Sequence, residues 1–130
     1  MPQVLQPAGW PRPKGYANGV VAKGRQVHVA GMVGWDEKGA FPPGFAAQTR
    51  QALANIVAVL READAKPEHI VRMTWYVTSK AEYLAAGAEI GRAWKELIGV
   101  YSMAMTAIEV SALIEDAAKV EIEVTAVIPD

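Results

Sequence analysis

The hydrophobic pattern along the chain predicts five β-strands, recognised by runs of alternating or continuous apolar residues. Two of them lie within residues 20–33, on either side of Lys23-Gly24-Arg25, an arrangement typical of a β-hairpin. The others cover residues 70–78, 106–113 and 119–128. The last strand is the most regular, because one of its faces carries Val120, Ile122, Val124 and Ala126.

Two longer stretches place apolar residues three and four positions apart, the spacing of an amphipathic helix. The first covers residues 45–64 and is followed by Pro67, which cannot continue a helix. The second begins after Ser79, since Glu82 three residues later completes the sequence signature of a capping box. It ends at Gly99, a residue suited to a left-handed cap, and its apolar stripe consists of Tyr83, Gly87, Ile90, Trp94, Leu97 and Ile98.

The predicted element order is β-β-α-β-α-β-β, which indicates an α+β fold of two layers. Each helix has a single apolar stripe, so both helices are expected to cover the same face of one mixed sheet. Residues 1–15 contain four prolines and are expected to form an extended N-terminal arm. Residues 16–130 are expected to form a single domain, because the chain of 130 residues has the length of one typical domain.

The composition adds an expectation about assembly. When glycine is counted in place of tyrosine, about 57% of the residues are apolar, above the roughly 45–50% of an average soluble domain. Alanine accounts for much of this excess, and its small side chain suits close contacts between helices, sheets and subunits. A domain of this size has little core in which to hide the excess, so we expect part of its surface to meet another subunit.

Charge and cysteine content exclude several classes of protein. The chain has no cysteine, which excludes disulfides, thiolate nucleophiles and zinc–cysteine sites and suits a reducing cytoplasm. Its formal net charge is −1, so we expect neither nucleic acid nor an anionic membrane as a partner. No run of about 18 apolar residues and no signal peptide is recognised, and a cytoplasmic protein is therefore expected.

The search for chemistry leaves carboxylates as the main candidates. His28 and His69 lie in different predicted elements without further ligands nearby, so no metal site is expected, and no glycine-rich motif predicts a nucleotide cofactor. Glu121 and Glu123 are two residues apart on the last strand, which places them on one face about 6.6–6.8 Å apart. Glu109 of the preceding strand is expected on the same face. Either these glutamates are the solvated side of a half-buried sheet, or they form a site that another subunit covers.

Five segments of the chain resemble the RidA/YjgF family, whose members are also labelled endoribonuclease L-PSP or translation inhibitor. The segments are Gly15-Tyr16, Val29-Ala30-Gly31, the helical run at residues 48–56, Trp75-Tyr76-Val77-Thr78 and Val120-Glu121-Ile122-Glu123. The resemblance covers residues 16–128 and implies a chorismate-mutase-like fold. It further implies a homotrimer in which the sheets form a central barrel, the helices lie outside, and small molecules bind in clefts between subunits.

The same resemblance implies an activity and assigns residues to it. The family's best-known members hydrolyse reactive enamine and imine intermediates to a keto acid and ammonia, without a metal or an organic cofactor. By resemblance, Glu121 is the candidate general acid and base, and Tyr16 lines the cleft. Gly31 lets the substrate approach the backbone, and the backbone at Ala107 helps Glu121 to position the attacking water.

One segment departs from the family pattern. Deaminating members carry Pro-Ala-Arg followed by serine or threonine, and the arginine binds the substrate carboxylate through a bidentate pair. This chain has Met103-Ala104-Met105-Thr106, so Met105 stands at the arginine position and offers neither a charge nor a donor. Met103, together with Trp35 in the loop after Gly31, makes the predicted cleft more apolar. We therefore expect a ligand that is flatter and less anionic than an amino acid.

Two alternatives stay open beside this interpretation of the cleft. Met103, Met105 and Trp35 could instead fill a contact between subunits. A cation could come from elsewhere in the chain, the candidates being Arg25, Arg50 and Arg72. The places of these residues in the fold decide between the alternatives.

The sequence thus supports three hypotheses on function. The first is a cofactor-independent hydrolytic deaminase of enamine or imine metabolites with altered substrate recognition. The second is a non-catalytic trimer that binds a small ligand in an apolar cleft between subunits. The third, an endoribonuclease, follows only from the family's older label, and the net charge of −1 disfavours it.

Overall fold

Six strands and three helices make up the part of the chain that the computed structural model describes, residues 2–130. The strands are β1 (Gln3–Leu5), β2 (Gly19–Val21), β3 (Arg25–Val33), β4 (Ile70–Val77), β5 (Ala104–Glu109) and β6 (Val120–Ile128). The helices are α1 (Phe45–Glu62), α2 (Lys80–Ala85) and α3 (Gly87–Leu97), with a short 3-10 turn at Pro67–His69. Within residues 2–130, no helix is long and apolar enough to span a membrane.

Four of the strands form one mixed sheet in the order β3-β6-β4-β5. Strands β4 and β5 run parallel, whereas β6 is antiparallel to both of its neighbours. Helix α1 packs across β3 and β6, and α3 packs beside α1. The predicted two-layer α+β fold, with the helices on one face of a mixed sheet, is therefore confirmed. We call this face the helix side and the opposite face of the sheet the open face.

The core lies between α1 and the helix side of the sheet. Leu53, Ile56 and Leu60 of α1 are fully buried, at the three- and four-residue spacing of a helix stripe. They belong to the same hydrophobic cluster as Ile122 and Val124 of β6. Because burial of one such side chain contributes about 1.5–3 kcal/mol, the stripe holds α1 firmly against the sheet.

The predicted hairpin between β2 and β3 is wrong. Strand β2 pairs with β1, so the proline-rich N-terminal segment contributes to a separate two-stranded sheet. Strand β3 pairs with β6 instead, with Arg25 opposite Ile128. Gly24 lies so close to β6 that a Cβ at this position would overlap the carbonyl oxygen of Ile128. Lys23-Gly24-Arg25 thus connects two sheets, because close packing against β6 takes the place of a hairpin turn.

The second predicted helix is divided in two at Ala86, whose φ and ψ of −90° and 10° end α2 before α3 begins. Ser79 caps α2 as predicted, because its hydroxyl accepts a hydrogen bond of 3.1 Å from the backbone N–H of Glu82. The Glu82 carboxylate does not complete the capping box and instead binds Lys119 Nζ at 3.1 Å. Gly99 has a φ of 79° and donates its N–H to a carbonyl in the last turn of α3, so the left-handed cap is confirmed.

Strand β5 covers Ala104–Glu109, earlier than the predicted residues 106–113. Parallel pairing with β4 places Ala107 opposite Trp75, a core residue, so Ala107 is on the helix side. Ile108 lies opposite Tyr76 on the open face and is 44% exposed. The expectation that Glu109 shares the face of Glu121 would turn its neighbour Ile108 towards the core. The observed faces are the reverse, because alternation defines two faces and only the pairing partner decides which one is buried.

Candidate functional site

The open face carries a group of polar side chains on two neighbouring strands. The pairing register of β4 and β6 places Glu121 opposite Tyr76 and Glu123 opposite Thr74. The two glutamates therefore share one face, as the sequence predicts. Tyr76 Oη donates a hydrogen bond of 2.6 Å to Glu123 Oε1. This hydrogen bond, together with desolvation and the negative charges of both glutamates, raises the pKa of Tyr76 above its ordinary value of 10.0.

Glu109 does not belong to this group, so the expectation that it shares the face of Glu121 is wrong. Its position in β5 is opposite Val77, on the helix side of the sheet. The Glu109 carboxylate accepts a hydrogen bond of 2.7 Å from the backbone N–H of Lys80. Glu109 therefore provides an acceptor for a free backbone N–H in the first turn of α2. Carboxylates commonly take this structural role at a helix N-terminus.

Gly31 and Glu121 meet on the open face, and the contact requires glycine. Gly31 lies in a register irregularity of β3, between Val29 and Met32. A Cβ at residue 31 would overlap the carboxylate of Glu121, so the backbone of β3 lies directly against this half-buried side chain. The structure thus brings together the candidate acid and base and the glycine that the resemblance places near the substrate.

A shallow depression of about 280 Å³ lies on the same face, and His28, Arg72 and Glu123 are among its lining residues. Arg72 is thus the one of the three candidate arginines that lies near the glutamates. Arg50 forms an ion pair of 2.7 Å with Glu96, and Arg25 lies at the far end of the sheet. Within residues 2–130, no three histidine or acidic side chains lie close enough together to hold a metal ion.

A larger cavity of about 430 Å³ lies beside α3 on the helix side, and we call it the aromatic cavity. Met105 lines it, and Lys14 is the one charged residue of its wall. The wall includes no carboxylate from residues 2–130. Half of the remaining lining residues are aromatic, namely Tyr16, Trp75, Tyr83, Trp94 and Tyr101.

Four of the five rings of the aromatic cavity form a connected group. Trp94 stacks on Tyr101 at a centroid distance of 5.9 Å and on Trp75 at 6.3 Å. Tyr83 meets Trp75 in an edge-to-face arrangement at 6.0 Å. Trp94 Nε1 donates a hydrogen bond of 2.9 Å to the carbonyl of Val100. Because each such ring pair contributes about 0.5–1.5 kcal/mol beyond the area it buries, the wall is preformed.

The predicted site residues fall into two groups on opposite sides of the sheet. Tyr16 and Met105 line the aromatic cavity, and Ala107 follows on the same side of β5. Glu121 and Gly31 lie on the open face. One protomer therefore does not bring Met105 together with Glu121.

Trp35 lies apart from both groups. It packs against Phe41 at a centroid distance of 5.8 Å and lines a separate cavity of about 540 Å³ with Met32 and Asn55. Asn55 Nδ2 donates hydrogen bonds to the carbonyls of Val33 and Trp35, at 3.0 and 2.9 Å. Helix α1 thus fixes the start of the loop that carries Trp35, away from Met105.

Met103 is fully buried in the hydrophobic core and presents no surface to a ligand in one protomer. Its backbone has a clearer role, because its carbonyl accepts a hydrogen bond of 2.8 Å from the N–H of Ala17. This bond holds the chain next to Tyr16 against β5. Met103 therefore helps to position a wall residue of the aromatic cavity without lining the cavity itself.

Sequence reasoning assigned no site role to Tyr83, Trp94 and Tyr101, which form most of the aromatic wall. Tyr83 and Trp94 stood in the apolar stripe of the second predicted helix, where aromatic residues are usually core residues. A usable signal lay on the same helix: Gly87 and Gly91 interrupt its apolar face four residues apart. In the structure, a Cβ at either glycine would meet no neighbouring atom within 4 Å, so this face is open in one protomer.

Comparisons with known proteins agree on one family. The family model described as Endoribonuclease L-PSP matches residues 11–128. A RutC family protein from Pyrococcus abyssi is 31% identical over 108 residues, which is 82% of each chain. Among solved structures, the Rid family protein YyfB from Yersinia pestis is 36% identical with a TM-score of 0.82, covering 98% of each chain. The YjgF gene product from E. coli is 28% identical with a TM-score of 0.71, covering 96% of this chain and 98% of its own.

These matches extend over nearly the whole chain and include both groups of site residues. They agree with the resemblance carried by the five sequence segments, and the fold of the solved relatives agrees with the mixed sheet and its helix layer. The chain therefore belongs to the RidA/YjgF family, also described as endoribonuclease L-PSP.

Proposed function

We propose that this protein is a homotrimeric, cofactor-independent hydrolase of small enamine or imine metabolites. Its family membership supports the proposal. The observation that carries it is the contact of Glu121 with Gly31, in which the missing Cβ of glycine lets a half-buried carboxylate lie directly against the backbone of β3. A carboxylate held in this way is placed to accept and return a proton.

In the proposed reaction, Glu121 moves protons between water and the imine nitrogen. Its carboxylate accepts a proton as the water oxygen bonds to the imine carbon, and passes this proton to the nitrogen to give a carbinolamine. It then moves the hydroxyl proton to the nitrogen, the C–N bond breaks, and ammonia and a carbonyl compound leave. Proton transfer of this kind contributes about 10²–10⁴-fold to a rate. Tyr16 completes the proposed machinery by orienting the substrate.

The proposal places each site between two protomers. Met105 and Glu121 lie on opposite sides of one sheet, so a second protomer has to bring the two groups together. Strand β5 is at the edge of the sheet, and its residue Ala107 is exposed, which leaves this edge available to a neighbour. Ile108, an exposed apolar residue on the open face, fits a surface that assembly covers.

Substrate recognition is altered in this proposal, because Met105 cannot pair with a carboxylate. A charge-assisted hydrogen bond to such a group contributes about 1.5–3 kcal/mol. Imines derived from ordinary amino acids therefore bind weakly, and the preferred substrate carries less negative charge. Lys14 is the one cation of the aromatic cavity, and it belongs to the N-terminal segment rather than to β5.

A second candidate function is a trimer that binds a small ligand without converting it. The aromatic cavity favours this candidate, since a volume of about 430 Å³ lined by rings suits binding and includes no carboxylate for proton transfer. The endoribonuclease activity in the description of the family model is disfavoured by the net charge of −1. For either candidate, a cysteine-free chain suits the cytoplasm.

An imine-trapping assay separates the hydrolase from the binding protein. An amino-acid oxidase supplies a carboxylated imine and an amine oxidase supplies an uncharged one, with semicarbazide as the competing trap. We expect the protein to clear the uncharged imine faster than buffer does, and the carboxylated imine more slowly than the uncharged one. Glu121→Gln is expected to abolish the faster clearance of the uncharged imine relative to buffer, because an amide cannot accept the proton of water.

Glu123→Gln is the matched control, since it makes the same change two residues away on the same face. It should retain most of the activity. If neither imine is cleared faster than in buffer, the hydrolase proposal is wrong. A specific co-purified ligand seen by native mass spectrometry would then support the binding protein.

A further inference from the structure

Two glycines of α3 leave the aromatic cavity open. Gly87 and Gly91 are four residues apart, so they lie on the same face of the helix, and both line the cavity. A Cβ at either position would meet no neighbouring heavy atom within 4 Å. Glycine within a helix lowers stability relative to alanine, and the packing of one protomer gives no steric reason for it. The glycine pair therefore keeps space free in front of the rings.

The wall around this space favours flat and uncharged molecules. Stacked rings offer planar apolar area to which an aromatic molecule can add one further layer. A cation would find no carboxylate in the wall and would be repelled by the ammonium group of Lys14. The volume of about 430 Å³ lies within the range of small-molecule sites, roughly 300–1,000 Å³.

One polar group of the wall lacks a partner. Trp75 is 3% exposed, and its indole Nε1 is buried without a hydrogen-bond acceptor among residues 2–130. A buried N–H without an acceptor is unfavourable, so an acceptor atom brought by a ligand would stabilise the complex. Met105 lines the same cavity, and its flexible side chain lets this wall adapt to a ligand.

We propose that the aromatic cavity binds a neutral, planar aromatic molecule that carries a hydrogen-bond acceptor. This inference rests on the proposed function only in treating Tyr16 and Met105 as ligand-binding residues. For the hydrolase, this molecule is the aromatic part of the imine or enamine substrate. For the binding protein, it is the ligand itself. The substrate class thus differs from the small carboxylated imines that an arginine at residue 105 would select.

A titration with three probes of similar shape tests this proposal. Quinoline carries a ring nitrogen as acceptor, naphthalene lacks it, and N-methylquinolinium has a fixed positive charge. At a pH where quinoline is neutral, we expect it to bind about 3- to 10-fold more tightly than naphthalene, the gain of one net hydrogen bond. In isotope-labelled protein, quinoline should shift the indole N–H signal of Trp75, assigned with Trp75→Phe. Equal affinities for the three probes, or a preference for the cation, would overturn the proposal.

Gly91→Leu and Ala88→Leu form a matched pair of variants. Both place the same side chain at an exposed position of α3, but only residue 91 lines the cavity. We expect Gly91→Leu to weaken quinoline binding roughly tenfold or more, because leucine fills the space in front of the rings, and Ala88→Leu to leave it unchanged. Equal weakening in both variants contradicts the proposal. So does loss of the assembly in Gly91→Leu alone, since the glycine face would then be a subunit contact.

The titration requires no turnover, which keeps this proposal separate from the hydrolase proposal. A protein that clears no imine but binds quinoline contradicts the hydrolase alone. A protein that clears imines but binds none of the three probes contradicts the aromatic ligand alone.

Discussion

The aromatic cavity and the open face differ in chemistry, rigidity and exposure. The cavity is lined by stacked rings and Met105, contains a single charge and is preformed within one protomer. The open face carries Glu121, Glu123 and Tyr76, and much of it is exposed. The first has the properties of a binding surface, and the second has the groups that can move a proton.

For the proposed hydrolase, neither surface is a complete site by itself. A ligand in the cavity is out of reach of Glu121, because the sheet lies between them. A substrate on the open face meets a carboxylate but no apolar wall. The proposed trimer joins the two surfaces, and this proposal agrees with an apolar content above the usual range.

The largest effect is expected where the aromatic cavity meets the core. Met103 is fully buried, whereas Met105 is only half-buried at the cavity wall. Met103→Ala should lower the free energy of unfolding by about 2–5 kcal/mol, because it leaves a hole in a packed core. Met105→Ala should lower it by clearly less, since its space already adjoins the cavity. Urea unfolding measures both, and equal losses would show that Met105 belongs to the core.

Restoring a charge to the cavity wall is expected to have the next largest effect. Met105→Arg should increase the clearance of carboxylated imines relative to uncharged ones by about 10- to 150-fold, the gain of a charge-assisted contact of about 1.5–3 kcal/mol. Met105→Leu is the control, because it keeps an apolar wall and adds no charge. An unchanged ratio in Met105→Arg would mean that residue 105 does not face the reacting substrate.

Two glycines of β3 and its following loop test the open face. A Cβ at Gly34 would overlap the backbone of Gln48 in α1, which cannot move aside, so Gly34→Ala should cost about 1–3 kcal/mol of stability. A Cβ at Gly31 would overlap only the far end of Glu121, which can swing away. Gly31→Ala should therefore cost less than about 1 kcal/mol and yet lower imine clearance roughly tenfold. Loss of stability without loss of activity in Gly31→Ala would contradict the assigned role of Glu121.

The smallest effect concerns the hydrogen bond between Tyr76 and Glu123. The pKa of Tyr76 is raised in the folded protein, so the stability that its neutral form contributes is complete below the unfolded value of 10.0. This contribution is lost as the pH rises through the raised pKa. The free energy of unfolding should therefore fall more steeply at alkaline pH in the unchanged protein than in Tyr76→Phe. Absorbance titration of the unchanged protein against Tyr76→Phe checks the direction of the pKa shift. A difference centred at or below 10.0 would contradict it.

Local signals predicted the elements of this fold well. Ser79 caps the start of α2 and Gly99 caps the end of α3, as predicted, because caps depend on residues that are close in sequence. Pairing partners were harder to predict. The β2–β3 hairpin fails because Gly24 packs on β6, and the face of β5 was reversed because its partner β4 lies far away in sequence.

The candidate site shows the same limit. The face shared by Glu121 and Glu123 follows from the period of a strand and was predicted correctly. The aromatic cavity was not predicted, because Tyr16, Trp75 and Tyr101 come from separate segments that only the tertiary fold brings together. The separation of Met105 from Glu121 likewise depends on strand pairing, which the resemblance to a family does not state residue by residue.

A structure of the assembled protein tests the central claim most directly, namely that two surfaces of different chemistry form one site across a subunit boundary. We expect three protomers, with Tyr16 and Met105 of one facing the same cleft as Glu121 and Gly31 of the next. A monomer, or an assembly in which Glu121 stays open to solvent away from every aromatic cavity, would contradict the claim.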